Sequence, residues 1–275
     1  MIPAPFEYTE ASSVTDAINA LVEHGDEAKL IAGGHSLLPL MKFRLATPSV
    51  LVDIGRIDEL KGVSDSGDYL SIGSLSTHQA VERDALVRSQ APLLAAVAGQ
   101  VGDPQVRHRG TIGGSLAHAD PASDLPAALI ALGGSVVVQG PSGQREIGAR
   151  DLFTGFLEST IAADEIVTEV RIPKAPDAGW SFQKFNRRAQ DWAIVGVAAV
   201  ANGTTRVGLI NMGSTPLAAV AVEEALKSGA DIEEASAVAA DQTSPPSDLN
   251  GDAEYRSHLA RVLVKRALTE ASNSG

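Results

Sequence analysis

Two glycine pairs are the residues of this sequence whose types and spacing invite chemistry. Residues 31–36 read IAGGHS and residues 110–115 read GTIGGS, each close to an apolar run. Glycine reaches positive φ and lets a ligand touch the backbone with no Cβ in between. Two adjacent glycines can therefore expose successive N–H groups in a concave nest that suits an anion. Ser36 and Ser115 add hydroxyl donors. Two such nests would grip a pyrophosphate without basic side chains, each hydrogen bond to a charged group being worth about 1.5–3 kcal/mol. A pair of ordinary tight turns would use the same residues, so the glycines by themselves reach only as far as an anionic ligand. Two better-known phosphate signatures are absent: no GxGxxG joins a strand to a helix, and no Gly-Lys-Ser/Thr occurs.

Other reactive groups narrow the field. The chain has no cysteine, which excludes a disulfide, a thiolate zinc site, a catalytic thiol and an iron–sulfur cluster held by this chain. Among six histidines, His35, His78, His108 and His118 lack the i,i+4 or HExxH spacing of a metal site and read as loop and hydrogen-bonding groups. A formal charge of −12 speaks against a nucleic-acid groove or an anionic membrane surface. The opening MIPAPFEYTE lacks the pattern of a signal peptide, and no apolar run nears the ~20 residues needed to span a bilayer. A cytoplasmic protein is expected.

The glycines need elements to aim them, and 275 residues suffice for two modest domains. Aromatic residues are only 4% of the chain, so the cores should be aliphatic. Capping and periodicity predict helices over 12–25, 76–87, 92–101 and 123–132, with strands at 28–34, 49–55, 69–73 and 135–140. Four further strand candidates follow, at 165–173, 180–186, 192–201 and 205–213. Helical stretches at 216–229 and about 253–271 close the chain. A boundary is expected near the Pro/Asp/Gly cluster PKAPDAG at 173–179, followed by an α+β layer on its own core.

Longer strings carry a resemblance. AGGHSLLPLMKFRLATPSVLVDIGRI (32–57) and RHRGTIGGSLAHADPASDLPAALIALGGSVVV (107–138) resemble the two flavin-binding segments of the FAD-binding medium subunits of molybdenum hydroxylases, a family typified by aerobic carbon monoxide dehydrogenase and related to the FAD domain of xanthine dehydrogenase. DEIVTEVRIP (164–173), KFNRRAQDWAIVGVAA (184–199) and DLNGDAEYRSHLARVLVKRAL (248–268) match further segments in the same order. The resemblance spans essentially the whole chain. It implies an α+β fold. A two-lobed FAD-binding domain of the vanillyl-alcohol-oxidase (PCMH) type would occupy residues 1–175, with lobes of about 1–55 and 56–175. A small C-terminal α+β domain, an antiparallel sheet with helices, would occupy residues 176–275. It also implies non-covalent FAD on this chain and no catalytic or metal-ligating residue of its own. Molybdopterin would sit on a large partner subunit and [2Fe–2S] clusters on a small one, commonly as a dimer of heterotrimers. Electrons would pass from molybdenum through iron–sulfur to the flavin and on to an acceptor.

Residue by residue, the resemblance places Ala32, Gly33, Gly34, His35, Ser36 and Leu37 in a first cofactor loop. Thr111, Ile112, Gly113, Gly114 and Ser115 would form a second, with His118 one helical turn on. Ser115 departs from the family's usual Asn, which puts one side-chain contact in doubt but not the backbone cradle. Asp124 matches a carboxylate that bonds the flavin nucleotide; read on its own it is a helix cap. Val167 matches a residue lining the isoalloxazine ring, Lys184 a lysine close to that ring, and Trp192 a nearby aromatic. Without the resemblance these three would be a buried strand residue, a solvated charge and a core tryptophan. Arg187 and Arg188 are placed to pair with Asp191. Two other functions remain compatible with the pattern: a self-sufficient flavin oxidase, disfavoured by a C-terminal region poor in the groups that build a substrate cavity, and a flavin-free scaffold, disfavoured by intact glycine strings. A family variant that carries an extra cluster in this subunit is excluded by the absence of cysteine.

Overall fold

The computed structural model describes residues 2–274. Three layers of sheet and helix follow one another along the chain. The first is a three-stranded parallel sheet in the order Glu7–Glu10, Val50–Asp53, Ala28–Ile31. The helix Val14–His24 makes the crossover, with Ser13 accepting from the Asp16 N–H at its start and Val14, Ala17, Ile18 and Leu21 buried. Its last strand, Ala28–Ile31, runs straight into the first glycine pair.

The second layer is a five-stranded antiparallel sheet in the order Val63–Asp65, Tyr69–Gly73, Ile166–Pro173, Ser135–Gly140, Gly143–Gly148. Ile166–Pro173, first of the four late strand candidates, is the centre of this sheet rather than part of the next one. Helices lie between Tyr69–Gly73 and Ser135–Gly140. The helix expected at 76–87 is two helices, His78–Arg83 and Ala85–Gln90, because the Asp84 carboxylate accepts from the Leu86 and Val87 N–H groups and starts a new helix.

The third layer is a four-stranded antiparallel sheet, Gly179–Phe185, Val195–Asn202, Thr204–Ile210 and the short Leu217–Ala218, with the helices Val220–Lys227, Ile232–Ala237 and Ala253–Ser274. Leu217 and Ala218, expected to be helical, pair instead with Leu209 and Gly208.

One helix joins the second and third layers. Every residue of Asp124–Leu132 is buried. On one side it shares a core with Leu70, Val136 and Val170; on the other the same core takes in Ala198, Val200 and Ile210. Gly208 allows the close approach, since a Cβ there would lie 2.2 Å from the Ala127 carbonyl oxygen. Among the described residues no helix is long and apolar enough to cross a membrane.

Candidate functional site

The two glycine strings meet. A Cβ on Gly33 would stand 2.3 Å from the Arg109 carbonyl oxygen and 2.8 Å from the Gly110 Cα, so the first string packs backbone to backbone against the residues that lead into the second. Beside this junction lies a cavity of about 560 Å³, within the range of small-molecule and cofactor sites. Its wall includes Ala32, Gly33, Gly34, His35, Ser36 and Leu37 from the first layer. The second layer contributes Thr111, Gly113, Gly114, Ser115, His118, Asp124 and Val167. Lys184 and Trp192 come from the third. Of the residues that the resemblance assigns to the cofactor, only Ile112 is not in the wall. Its side chain is buried in the core, and its N–H donates to the Ser76 carbonyl at 3.0 Å.

The strings are built differently. In the first, Gly34 has φ +76° and the chain turns into the helix Leu37–Lys42. Among the described residues no backbone carbonyl accepts from the N–H groups of Gly33, Gly34, His35, Ser36 or Leu37, so five successive donors remain available beside the cavity. The second string is no turn. Ile112–His118 is a helix, capped by Thr111, whose hydroxyl accepts from the Gly114 N–H at 3.2 Å. Gly113 donates to Ser74 O at 2.9 Å and Ser115 to Thr111 O at 3.0 Å. With its amides engaged, this string is not a second anion nest. What it offers is close approach: a Cβ on Gly114 would meet nothing within 4 Å except the Thr111 hydroxyl. Ser115 is engaged as well, its hydroxyl 2.9 Å from that of Ser123.

Opposite the glycines lies a buried ion pair. Lys184 Nζ stands 2.6 Å from Asp124 Oδ2 and also donates to Gln100 O at 3.0 Å, with the two side chains only 4% and 6% exposed. Asp124 does not cap its helix. Ser123 is the N-cap, and the carboxylate reaches across to the strand Gly179–Phe185. Its other oxygen has no partner. Burial pushes the Asp124 carboxyl up to about 6, with Lys184 opposing the rise. Lys184 is thus no solvated surface charge. Trp192 is 58% exposed, on the loop between Phe185 and Val195, so it is not a core tryptophan. On that loop Asp191 pairs with Arg188 at 3.0 Å.

Ser74 and His78 also belong to the wall, and no local pattern in the chain selects them together. Both are buried, and Ser74 Oγ and His78 Nδ1 have no hydrogen-bond partner. Burial, aided by His35 and Arg107, pushes the His78 imidazole down to about 4. Ser74, His78 and Asp124 supply three of the four unpartnered buried side-chain atoms among the described residues. Unmet hydrogen-bonding capacity is therefore concentrated around this cavity. No group of three or more His, Cys, Asp or Glu placed to hold a metal ion occurs among the described residues.

These two titrations act in opposite directions on stability. His78 binds its proton less readily folded than unfolded, so its contribution of about 3 kcal/mol is present above pH 6.5 and is lost as pH falls toward 4. Asp124 binds its proton more readily folded, so acidification from pH 6 toward 4 returns a similar amount, about 3 kcal/mol. The His78→Gln variant should therefore become more stable relative to the parent as pH is lowered from 7 to 4 in urea titrations. Parallel pH profiles for parent and variant would rule out a buried neutral imidazole.

The sequence model of the family described as "FAD binding domain in molybdopterin dehydrogenase" matches residues 4–175, and that of the "CO dehydrogenase flavoprotein C-terminal domain" matches residues 180–271. The chain belongs to this family of molybdopterin-dehydrogenase FAD subunits. It is 40% identical to the carbon monoxide dehydrogenase medium chain of Hydrogenophaga pseudoflava, over 98% of each chain. It is 37% identical to the 6-hydroxypseudooxynicotine dehydrogenase complex subunit alpha of Paenarthrobacter nicotinovorans, over 98% of this chain and 96% of that one. Its structure superimposes with a TM-score of 0.95 on a chain of the H. pseudoflava carbon monoxide dehydrogenase lacking the Mo-pyranopterin moiety, at 42% identity, covering 100% of this chain and 99% of that one. As an FAD-binding oxidoreductase subunit, the chain combines an FAD-binding domain with the C-terminal domain of the family.

The cavity fits FAD on grounds of its own. Five unengaged amides suit a pyrophosphate, the bare Gly114 Cα suits a ligand lying against it, and the Asp124–Lys184 pair adds buried charge to the wall.

Proposed function

We propose that this chain is the electron-transfer flavoprotein of a molybdenum hydroxylase assembly, taking electrons from a partner [2Fe–2S] subunit and passing them to an external acceptor. The observation that carries the reading is the junction of the two glycine strings beside a cavity faced by the free amides of Gly33–Leu37. FAD, when bound, supplies a carrier that exchanges electrons singly or in pairs. The protein's own part is to bind and orient. The 33–37 amides hold the pyrophosphate; Thr111, Gly113, Gly114, Ser115 and His118 form the wall against which the nucleotide lies; Val167 and Trp192 flank the ring. Lys184 keeps a fixed positive charge beside it, which favours added electrons there, while Asp124 anchors that charge and bonds the nucleotide. Ile112 acts only by packing the second string against the core.

In this reading residues 1–175 are the flavin domain, with lobes of about 1–55 and 56–175, and residues 176–275 close over it. The partners are a molybdopterin-containing large subunit and a [2Fe–2S] small subunit, in a dimer of heterotrimers within the cytoplasm. The medium-chain and complex-subunit names of the relatives support the multi-subunit setting.

Titrating the full chain with FAD tests the first half: one equivalent should bind and acquire a structured visible spectrum. Anaerobic addition of organic substrates should leave the bound flavin oxidised until the partner subunits are added. Reduction by substrate with the purified chain alone would overturn the electron-transfer assignment. Lys184→Met should bind FAD while lowering its reduction potential, measured by dye-coupled reduction; an unchanged potential would remove Lys184 from the flavin's surroundings.

A further inference from the structure

Trp192 reaches the cavity from a loop, residues 186–194, whose foot is held at Ala193 and Ile194. Ile194 N–H donates to Phe185 O at 2.7 Å and closes the loop onto its strand. The two carbonyls at the foot, those of Ala193 and Ile194, both accept from the side-chain amide of Asn211, at 3.0 and 3.3 Å. The Ile194 carbonyl also accepts from Arg256, a fully buried guanidinium on the last helix that bonds Asp248 at 2.7 Å.

Asn211 does more than hold the loop. It follows directly on the strand Thr204–Ile210 and has φ +61°, a conformation that Asn tolerates better than most residues and that most side chains adopt only with strain. That turn aims its own N–H at the Pro121 carbonyl, 2.7 Å away. Pro121 lies in the segment that ends in Ser123 and Asp124, where the Ser123 hydroxyl bonds Ser115 and the Asp124 carboxylate pairs with Lys184. One residue therefore ties the loop bearing Trp192 to the opposite wall, at the point where that wall presents its charged group.

We propose that Asn211 is a positioning residue for the flavin cavity, its backbone fixing the Pro121–Asp124 wall and its side-chain amide fixing the foot of the Trp192 loop. The proposal rests on the flavin reading for what the cavity holds, but not for the clamp itself. A residue that served only to terminate the strand would need the turn and not the amide. The clamp predicts that the two can be separated.

Asn211→Gly keeps the backbone freedom for positive φ and the bond to Pro121 while deleting both side-chain bonds; Asn211→Asp keeps the shape and removes the donor. Each is made in a Trp180→Phe background, so that Trp192 is the only tryptophan of the two in the chain. Time-resolved anisotropy of the full chain without ligand should show the amplitude of the nanosecond Trp192 motion roughly doubled in either variant, because loop motion begins in that range and is what the amide restrains. FAD titration should then show weaker quenching of Trp192 emission and a changed visible circular dichroism of the bound flavin. Unchanged Trp192 anisotropy in a folded variant, whatever its melting temperature, would overturn the proposal and leave Asn211 a strand terminator. Failure of the Trp180→Phe parent to bind FAD would count against the flavin reading alone, because the anisotropy needs no ligand.

Discussion

Gly33→Ala is expected to lose stoichiometric FAD binding in a chain that still folds. The added methyl would lie 2.3 Å from the Arg109 carbonyl oxygen and 2.9 Å from its carbonyl carbon, and both obstacles are backbone. A flexible side chain could swing away; the backbone at the end of the helix Pro104–Arg109 cannot, because the Gly110 N–H donates to Val106 O and the Gly110 carbonyl accepts from the His78 N–H. The first layer must instead withdraw from the second by the better part of an ångström, carrying the 33–37 amides with it. Hydrogen bonds to a charged group contribute about 1.5–3 kcal/mol each, so losing two weakens binding by roughly a hundredfold to ten-thousandfold. Gly148→Ala is the control, since its nearest neighbour would be an Asp151 carboxylate oxygen at 3.5 Å. Equilibrium dialysis with FAD separates the two variants. Wild-type affinity in Gly33→Ala would show that the strings do not form the cofactor cradle.

Gly208→Ala should be the most destabilising small substitution outside the cavity. Its methyl would stand 2.2 Å from the Ala127 oxygen and 2.9 Å from the Ala127 Cα, in the middle of a helix with no exposed residue. Overpacking of this kind costs about 1–3 kcal/mol and more where neither side can move, as here, where the helix is wedged between two sheets. A fall in melting temperature of several degrees is expected. Lifting the helix would also draw Asp124 away from Lys184, so a loss of FAD affinity should accompany the loss of stability. An unchanged melting temperature would mean that the helix and the C-terminal sheet are not in the contact described.

Much of this architecture can be read from the chain because local signals agree with it. Ser13 caps a helix that periodicity already suggests, and β-branched runs at 50–53, 135–140 and 166–173 form strands where expected. The meeting of IAGGHS and GTIGGS at one cavity follows from their kinship of pattern. Their difference does not. Two glycines lower helix propensity by close to 1 kcal/mol each relative to alanine, which hides the helix Ile112–His118. Its visible traces are Thr111 as cap and Ile112 with Leu116 on one face. The polar edge strand Gly143–Gly148 carries no alternation to find, with four exposed residues in succession. Contacts across the fold leave no local mark at all. Nothing near Gly33 in the sequence points to Arg109, and nothing near Asn211 points to Pro121 or Ala193. Lys184 and Asp124 are sixty residues apart, and only the folded chain shows that each is the other's partner.

The helix Asp124–Leu132 also bears on how this protein can be divided. Its first turn holds the charged group of the cavity, and its flanks serve as core for the sheet before it and for the sheet after it. Cutting the chain between the two matched segments would leave the flavin-binding piece with a stripe of leucine and alanine facing water, and Asp124 without its lysine. The charged group of the cavity and the joint between the two sheets therefore lie on the same nine residues. A recombination that exchanges C-terminal halves between relatives must preserve the glycine at 208 and the lysine at 184 together, or it yields two halves that cannot recognise each other.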